Sequence, residues 1–153
     1  MNKPQIVALV LDQLREEFES RRRFSKLTRE EGNDAESKAE GKYDTLAIEE
    51  NYLADGLAKQ AIAAALAVAE IEKIPLRTFA ADEPVDLGAL VQIEFSGAKE
   101  WFFLAPAGGG TEITHGSMGV TVITPESPLG SQLVRARVGD RTSSPAARII
   151  RVL

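Results

Sequence analysis

Residues 5–31 contain neither glycine nor proline, and apolar side chains recur along them at helical intervals. Val7, Leu11, Leu14 and Phe18 stand four, three and four residues apart, which sets them on one face of a helix. Ile6, Leu9 and Val10 broaden that face near its start. Pro4 suits a first helical turn, where its missing N–H goes unused. A helix over 5–31 would be about 40 Å long. Gly32-Asn33-Asp34 predicts its end, because Gly and Asn tolerate the left-handed conformation that closes helices.

A second helical pattern follows, with Asp44 or Thr45 as its cap. Leu46, Leu53, Leu57, Ala64, Ala67, Ile71 and Ile74 lie near the same three-and-four rhythm. Residues 58–69 are almost all Ala, Ile, Leu and Val, with Lys59 and Gln60 the exceptions. Alanine favours helix, and its small size lets a neighbouring helix come close. Pro75 stops the element. Two long helices joined by a short polar tip predict an antiparallel hairpin over residues 1–75. No further helical pattern follows that would complete a bundle.

Past residue 75 the period changes. Pro75, Ala80-Ala81-Asp82-Glu83-Pro84 and Gly88 read as a linker. Leu90–Phe95 alternates, residues 96–99 turn, and Glu100–Leu104 returns as the second half of a hairpin. Trp101, Phe102 and Phe103 are consecutive, so they point to alternate faces of a strand. Gly108-Gly109-Gly110 reads as a hairpin turn and has no phosphate-loop Lys after it. Gly119–Ile123 and Ala147–Leu153 are further strands. The fold class is therefore α+β, with a helical hairpin and then a small antiparallel β domain over 76–153.

The charge is uneven. The whole chain is −5, from 18 basic and 23 acidic residues. Residues 30–55 hold nine acids and two bases, a net of −7, so the remainder is near +2. This balance argues against binding free DNA or RNA, which needs phosphate neutralisation. The absence of cysteine excludes disulfides and thiolate metal sites, and a single histidine leaves no zinc set. His115, in a Thr-His-Gly-Ser stretch, is read as structural, and no Gly-x-Ser-x-Gly elbow occurs. With no 18-residue apolar run and no convincing signal peptide, a cytoplasmic location without membrane contact is expected.

The order of hairpin, acidic tip and β domain resembles the bacterial Gre transcript-cleavage factors along the whole chain. Thr124-Pro125-Glu126-Ser127-Pro128-Leu129-Gly130-Ser131-Gln132-Leu133, followed by Gly139-Asp140, is similar to the family's S-P-[LI]-[GA]-x-x-L…G-D signature. Tyr43, then Glu49-Glu50-Asn51-Tyr52-Leu53 and Leu57, is similar to its tyrosine followed by E-E-Q-x-[FY]-[IL]…[IL]. The resemblance implies a coiled coil with an acidic tip at about 32–43 and an FKBP-like C-terminal domain. It implies that RNA polymerase is the partner, bound at its secondary channel, with RNA met only as a 3′ end inside that complex. Tip carboxylates would then help hold a Mg²⁺ shared with the polymerase active site, and the polymerase itself would hydrolyse backtracked RNA. The factor would be an accessory, not an enzyme, would keep no cofactor of its own, and is expected to be a monomer.

The tip departs from the family's D-x-x-E pair. Asp34 plus three is Ser37, and Glu36 plus three is Ala39. The candidate catalytic helpers are Asp34, Glu36 and Glu40, with Asp34 and Glu36 as metal ligands, against the plainer reading of a solvated acidic loop. Hard dications take oxygen ligands, so carboxylates are the right donors. Arg21, Arg22 and Arg23 are a candidate basic patch. Three successive residues span most of a helical turn, however, so ordinary surface pairing with Glu17 and Glu19 is the rival. Ser127, Pro128, Leu129 and Gly130 are candidate polymerase contacts or simply a tight turn. A non-cleaving channel regulator, an FKBP-like peptide-binding module and a structural coiled-coil dimer are the alternative functions. Arg21 and Ser25 interrupt the first helix's stripe, which counts against the dimer.

Overall fold

The structure is a computed structural model. It describes residues 2–36 and 44–153, the side chains at 35, 36 and 44–46 excepted. The chain forms two compact units: residues 1–14 with 67–153, and residues 15–66. Helix α1 spans Lys3–Glu36 and helix α2 spans Asp44–Glu72, so each helix contributes to both units. The division thus falls inside the helices instead of at the linker near residue 75, because Ile6, Val7, Val10, Leu14, Ala67 and Ile71 belong to the core of the sheet.

In the unit over 15–66, α1 and α2 pack antiparallel on small residues. Ala47, Ala54, Ala61 and Ala64 are the buried positions of α2. Opposite them stand Ser25 and Gly32, both buried. The Ser25 hydroxyl donates to the Ala54 carbonyl at 2.7 Å. Arg29 and Asp55 bridge the helices at 2.6 Å on an exposed flank. Gly32 lies so close to α2 that a Cβ there would stand 3.4 Å from Asn51 Oδ1 and from Glu50 Cβ.

Two expectations change here. Gly32-Asn33-Asp34 does not end α1, which runs on to Glu36. Gly32 supplies close helix contact instead of a left-handed cap. Leu53, placed on the inner rhythm from sequence, is 57% exposed, and the inner position is its neighbour Ala54. The narrow gap selects alanine and turns the larger aliphatic groups outward. By length and apolar composition alone, the stretch 47–72 of α2 would also suffice to cross a bilayer, although its alanine face packs on α1.

In the other unit a six-stranded sheet is built from β1 (Leu90–Phe95), β2 (Ala98–Leu104), β3 (Glu112–His115), β4 (Met118–Ile123), β5 (Arg141–Ser143) and β6 (Ala146–Val152). Their order across the sheet is β3-β4-β2-β1-β6-β5. The expected β1–β2 hairpin forms around Ser96 and Gly97, both with positive φ, as a two-residue hairpin turn requires. The α+β class holds, but the sheet is mixed where an antiparallel one was expected, because β2 and β4 pair parallel. The chain leaves β2, skips one place to lay down β3, and turns back through Gly116-Ser117 so that β4 fills the gap. Gly108–Gly110 is therefore the passage from β2 to β3 and not a hairpin turn. At Gly108, with φ 80°, a Cβ would stand 3.3 Å from Leu14. β3 and β5 were not anticipated, being four and three residues long.

The sheet separates two cores. Leu90, Trp101, Phe103, Val120 and Val122 pack with the helix residues Ile6, Val10, Leu14 and Ile71. Val91, Ile93, Leu104, Leu133, Ile149 and Val152 form the second core, against which Phe102 packs. The alternation of Trp101, Phe102 and Phe103 between faces is as the sequence predicts.

The tight helix seam makes a graded prediction. Gly32→Ala should be tolerated or add up to about 1 kcal/mol of stability through helix propensity. Gly32→Leu should cost about 1–3 kcal/mol by forcing α2 away. Chemical denaturation of the two variants checks the order.

Candidate functional site

The acidic candidates gather near the C-terminal end of α1. Asp34 is exposed in its last turn. Position 36 belongs to the same helix, and Glu40 lies outside the described residues. Two residues along a helix turn about 200°, so positions 34 and 36 leave the axis in nearly opposite directions. No basic residue stands in the last turn of α1. An acid at that end meets the negative pole of the helix, a contribution of about 0.3–1 kcal/mol at an exposed site. Among the described residues, no group of three or more His, Asp or Glu is placed to hold a metal by itself. Asp34 fits the resemblance's demand as a hard oxygen donor, but only as one ligand of a set completed elsewhere.

The three consecutive arginines split up. Arg21 pairs with Glu17 at 3.2 Å and Arg22 approaches Glu19 at 3.9 Å. The basic face that the helix does build is Arg22, Lys26 and Arg29, spaced four and three apart. With Ser25, Glu30 and Asn33 they line a shallow hollow of about 290 Å³. Reading by helical spacing, instead of by adjacency, would have found this face in the sequence.

Ser127, Pro128, Leu129 and Gly130 open a short helix, α3 (Pro128–Leu133), where a turn was expected. Ser127 is its N-cap: the hydroxyl accepts from the Gly130 N–H at 3.0 Å and donates to the Thr124 carbonyl at 2.8 Å. Pro128 fills the first turn, where no N–H is required. At Gly130 a Cβ would stand 1.9 Å from the Thr124 carbonyl oxygen, so no side chain fits. Gln132 then ties α3 to β5, its Oε1 accepting from the Ser143 N–H at 2.7 Å and its Nε2 donating to the Ser144 carbonyl at 2.8 Å. Leu129 packs against the second core, so the four motif residues each have a structural task, and Pro128 keeps an exposed surface.

Two features went unread in the sequence. Lys3 is buried, and its amine donates to the carbonyls of Arg77, of Gly88 at 3.0 Å and of Leu153 at 2.9 Å. It lies 4.7 Å from the centre of the Phe79 ring, over which Arg77 also stacks at 4.0 Å. Burial, and then the nearby Arg77 charge, lower the Lys3 pKa to about 8. The Arg77 guanidinium donates in turn to Glu83, whose carboxyl is held below its ordinary range by the Ala80 N–H and by Arg77. This clamp joins the start of α1, the linker and the last strand.

The second feature is a charged row across the sheet. Lys99 faces Glu94, Glu94 faces Arg148, and Arg148 faces Arg141. Glu94, Arg141, Arg148, Ser96 and Thr142 border a hollow of about 360 Å³. His115 is exposed and closes the β3–β4 hairpin.

No protein-family model matches the chain, and no curated protein matches it. Among solved structures, the chain is similar to the GreA factor homolog 1 (Gfh1) protein of Thermus thermophilus. That structure is 17% identical over 94% of each chain, with a TM-score of 0.37. A second structure, of the transcription factor Gfh1, is 17% identical over 94% of this chain and 93% of that one, with a TM-score of 0.34. Thermus aquaticus Gfh1 is 16% identical over 88% and 92%, with a TM-score of 0.35. At such low identity and loose superposition, function has to be argued from the chain's own residues.

Gly130→Ala should cost about 3 kcal/mol, because its Cβ has no space beside Thr124; thermal melting reads this. Lys3→Met should cost about 2 kcal/mol by leaving carbonyls unpaired. The pH dependence has a definite sign. The folded Lys3 loses its proton at about pH 8, below the unfolded value, so the folded chain binds fewer protons above that pH. Stability relative to Lys3→Met should therefore rise from about pH 8 towards 10.5, as paired melts across that range would show.

Proposed function

We propose that the protein is a Gre-like accessory factor of bacterial RNA polymerase, docking through its β domain and presenting the acidic end of its helix pair to the polymerase active site. The observation that carries this reading is the position of the carboxylates. Asp34 is exposed in the last turn of α1, within the stretch 30–55 where the sequence concentrates its acids. A carboxylate there is a hard oxygen donor of the kind a divalent cation takes. The motif residues Ser127–Gly130 support the β-domain end of the reading, since their helix presents Pro128 at the surface.

In this role the protein would hold no Mg²⁺ of its own. Asp34, with Glu36 or Glu40, would lend oxygen ligands to an ion shared with the polymerase. That ion would supply charge stabilisation for hydrolysis of backtracked RNA. Arg22, Lys26 and Arg29 would meet phosphate or an acidic wall on the way.

One observation favours a second reading, a channel regulator that does not stimulate cleavage. Positions 34 and 36 diverge by about 200° around α1, so they do not form a chelating pair on one helical face. A prolyl-isomerase reading has less support, because the hollow on the sheet sets Glu94, Arg141 and Arg148 beside Ala146 and Ala147 and includes no aromatic side chain.

A stalled, backtracked elongation complex with Mg²⁺ separates these readings. Cleavage stimulation predicts shortened RNA with the intact protein and at least about a tenfold loss with Asp34→Ala. Binding without shortening selects the regulator. Failure to co-purify with core polymerase at low salt removes both.

A further inference from the structure

Helix α2 carries a second seam that the protomer leaves uncovered. Ile48, Tyr52, Asp55, Lys59, Ile62 and Leu66 are spaced four, three, four, three and four apart. That alternation is the one that keeps a row of side chains facing a partner helix. All six are exposed, and the four apolar members are 52–74% exposed. The row is distinct from the inner seam of Ala47, Ala54 and Ala61, which is spent on α1.

The row also reads the same in both directions. Ile48 and Leu66 lie nine residues either side of Leu57, Tyr52 and Ile62 five, and Asp55 and Lys59 two. A second α2 laid antiparallel about a two-fold axis at the height of residue 57, passing the side of the helix opposite Leu57, sets Ile48 on Leu66, Tyr52 on Ile62 and Asp55 against Lys59 of the other copy. Each contact is then made twice, as an isologous interface requires. The pairs are apolar on apolar and acid on base. A parallel arrangement would instead stack Asp55 on Asp55 and Lys59 on Lys59.

Gly56 flanks the row. Glycine inside a helix weakens it, and a Cβ at position 56 would meet nothing within 4 Å in the protomer. This glycine stands at the height of the two-fold axis but about 80° around the helix from the row, on its flank. Asp55 already accepts from Arg29 at 2.6 Å, and a carboxylate has acceptor capacity for a second cation.

We propose that the protein forms a reversible antiparallel homodimer through this face of α2, with the two-fold axis at the height of residue 57, on the side of the helix opposite Leu57. The dimer replaces the monomer expected from sequence and covers a face that any other partner of α2 would have to compete for. It rests on residues other than those that carry the polymerase reading, so either can fail without the other.

Sedimentation equilibrium of the full chain across micromolar concentrations tests the proposal. The expected result is a concentration-dependent monomer–dimer equilibrium. Lys59→Asp should weaken the dimer at least about tenfold by setting acid against acid, and the double exchange Asp55→Lys with Lys59→Asp should restore it. Ile62→Glu, on the exposed row, should leave the Tm of the protomer nearly unchanged while weakening the dimer, which separates association from folding. The chain has no cysteine, so introduced thiols report geometry. Ile48→Cys alone should not cross-link two copies on mild oxidation, whereas Ile48→Cys with Leu66→Cys should. A monomer at every concentration, a charge exchange that does not restore pairing, or ready cross-linking through Ile48→Cys alone would each overturn the proposal. So would binding of the monomer to phosphatidylcholine vesicles in place of self-association.

Discussion

The close approach of α1 and α2 on alanine, serine and glycine governs the unit over residues 15–66. Little apolar area is buried along such a seam, so dispersion across a short gap and specific polar contacts have to hold it. The Ser25 hydroxyl satisfies itself on the Ala54 carbonyl, and Arg29 reaches across to Asp55. Large side chains cannot enter the gap. Leu53, Ile62 and Leu66 turn outward as a result, and a helix apolar enough to be a core element shows much of that surface to its surroundings.

The other unit solves the opposite problem. Its sheet is wide enough to bury large side chains on both faces, and the alternation along β1 and β2 sends Leu90 and Phe103 to one core and Val91 and Leu104 to the other. The helix residues Ile6, Val10 and Leu14 complete the first core. Lys3 then locks the start of α1 by converting one amine into three hydrogen bonds to separate stretches of chain. A buried charge is tolerated there because every proton has an acceptor and an aromatic face lies beside it.

Periodicity made the long helices and the β1–β2 hairpin legible, because each repeats its signal over many residues. It misjudged Gly32, since a glycine near the end of a pattern reads equally as a cap or as a close contact, and only the partner helix decides. It missed β3 and β5 because strands of three or four residues have too few positions to show alternation. The parallel β2–β4 pair depends on β3 skipping a place in the sheet, which no local pattern records. At the candidate site, Ser127 and Pro128 were recognised by motif, but their capping geometry was not. Arg22, Lys26 and Arg29 were overlooked because a consecutive arginine triplet drew notice away from helical spacing. The Lys3 clamp joins residues up to 150 positions apart and left no local trace.

The meeting of Arg141 and Arg148 has a further effect. Like charges directly opposite on neighbouring strands disfavour their own ladder. Yet β5 is the last strand of the sheet, three residues long, and its outer edge would otherwise offer unpaired backbone to a passing strand. A margin only three residues long offers few backbone groups to an added strand, and the Arg141 guanidinium on it disfavours one that is itself basic.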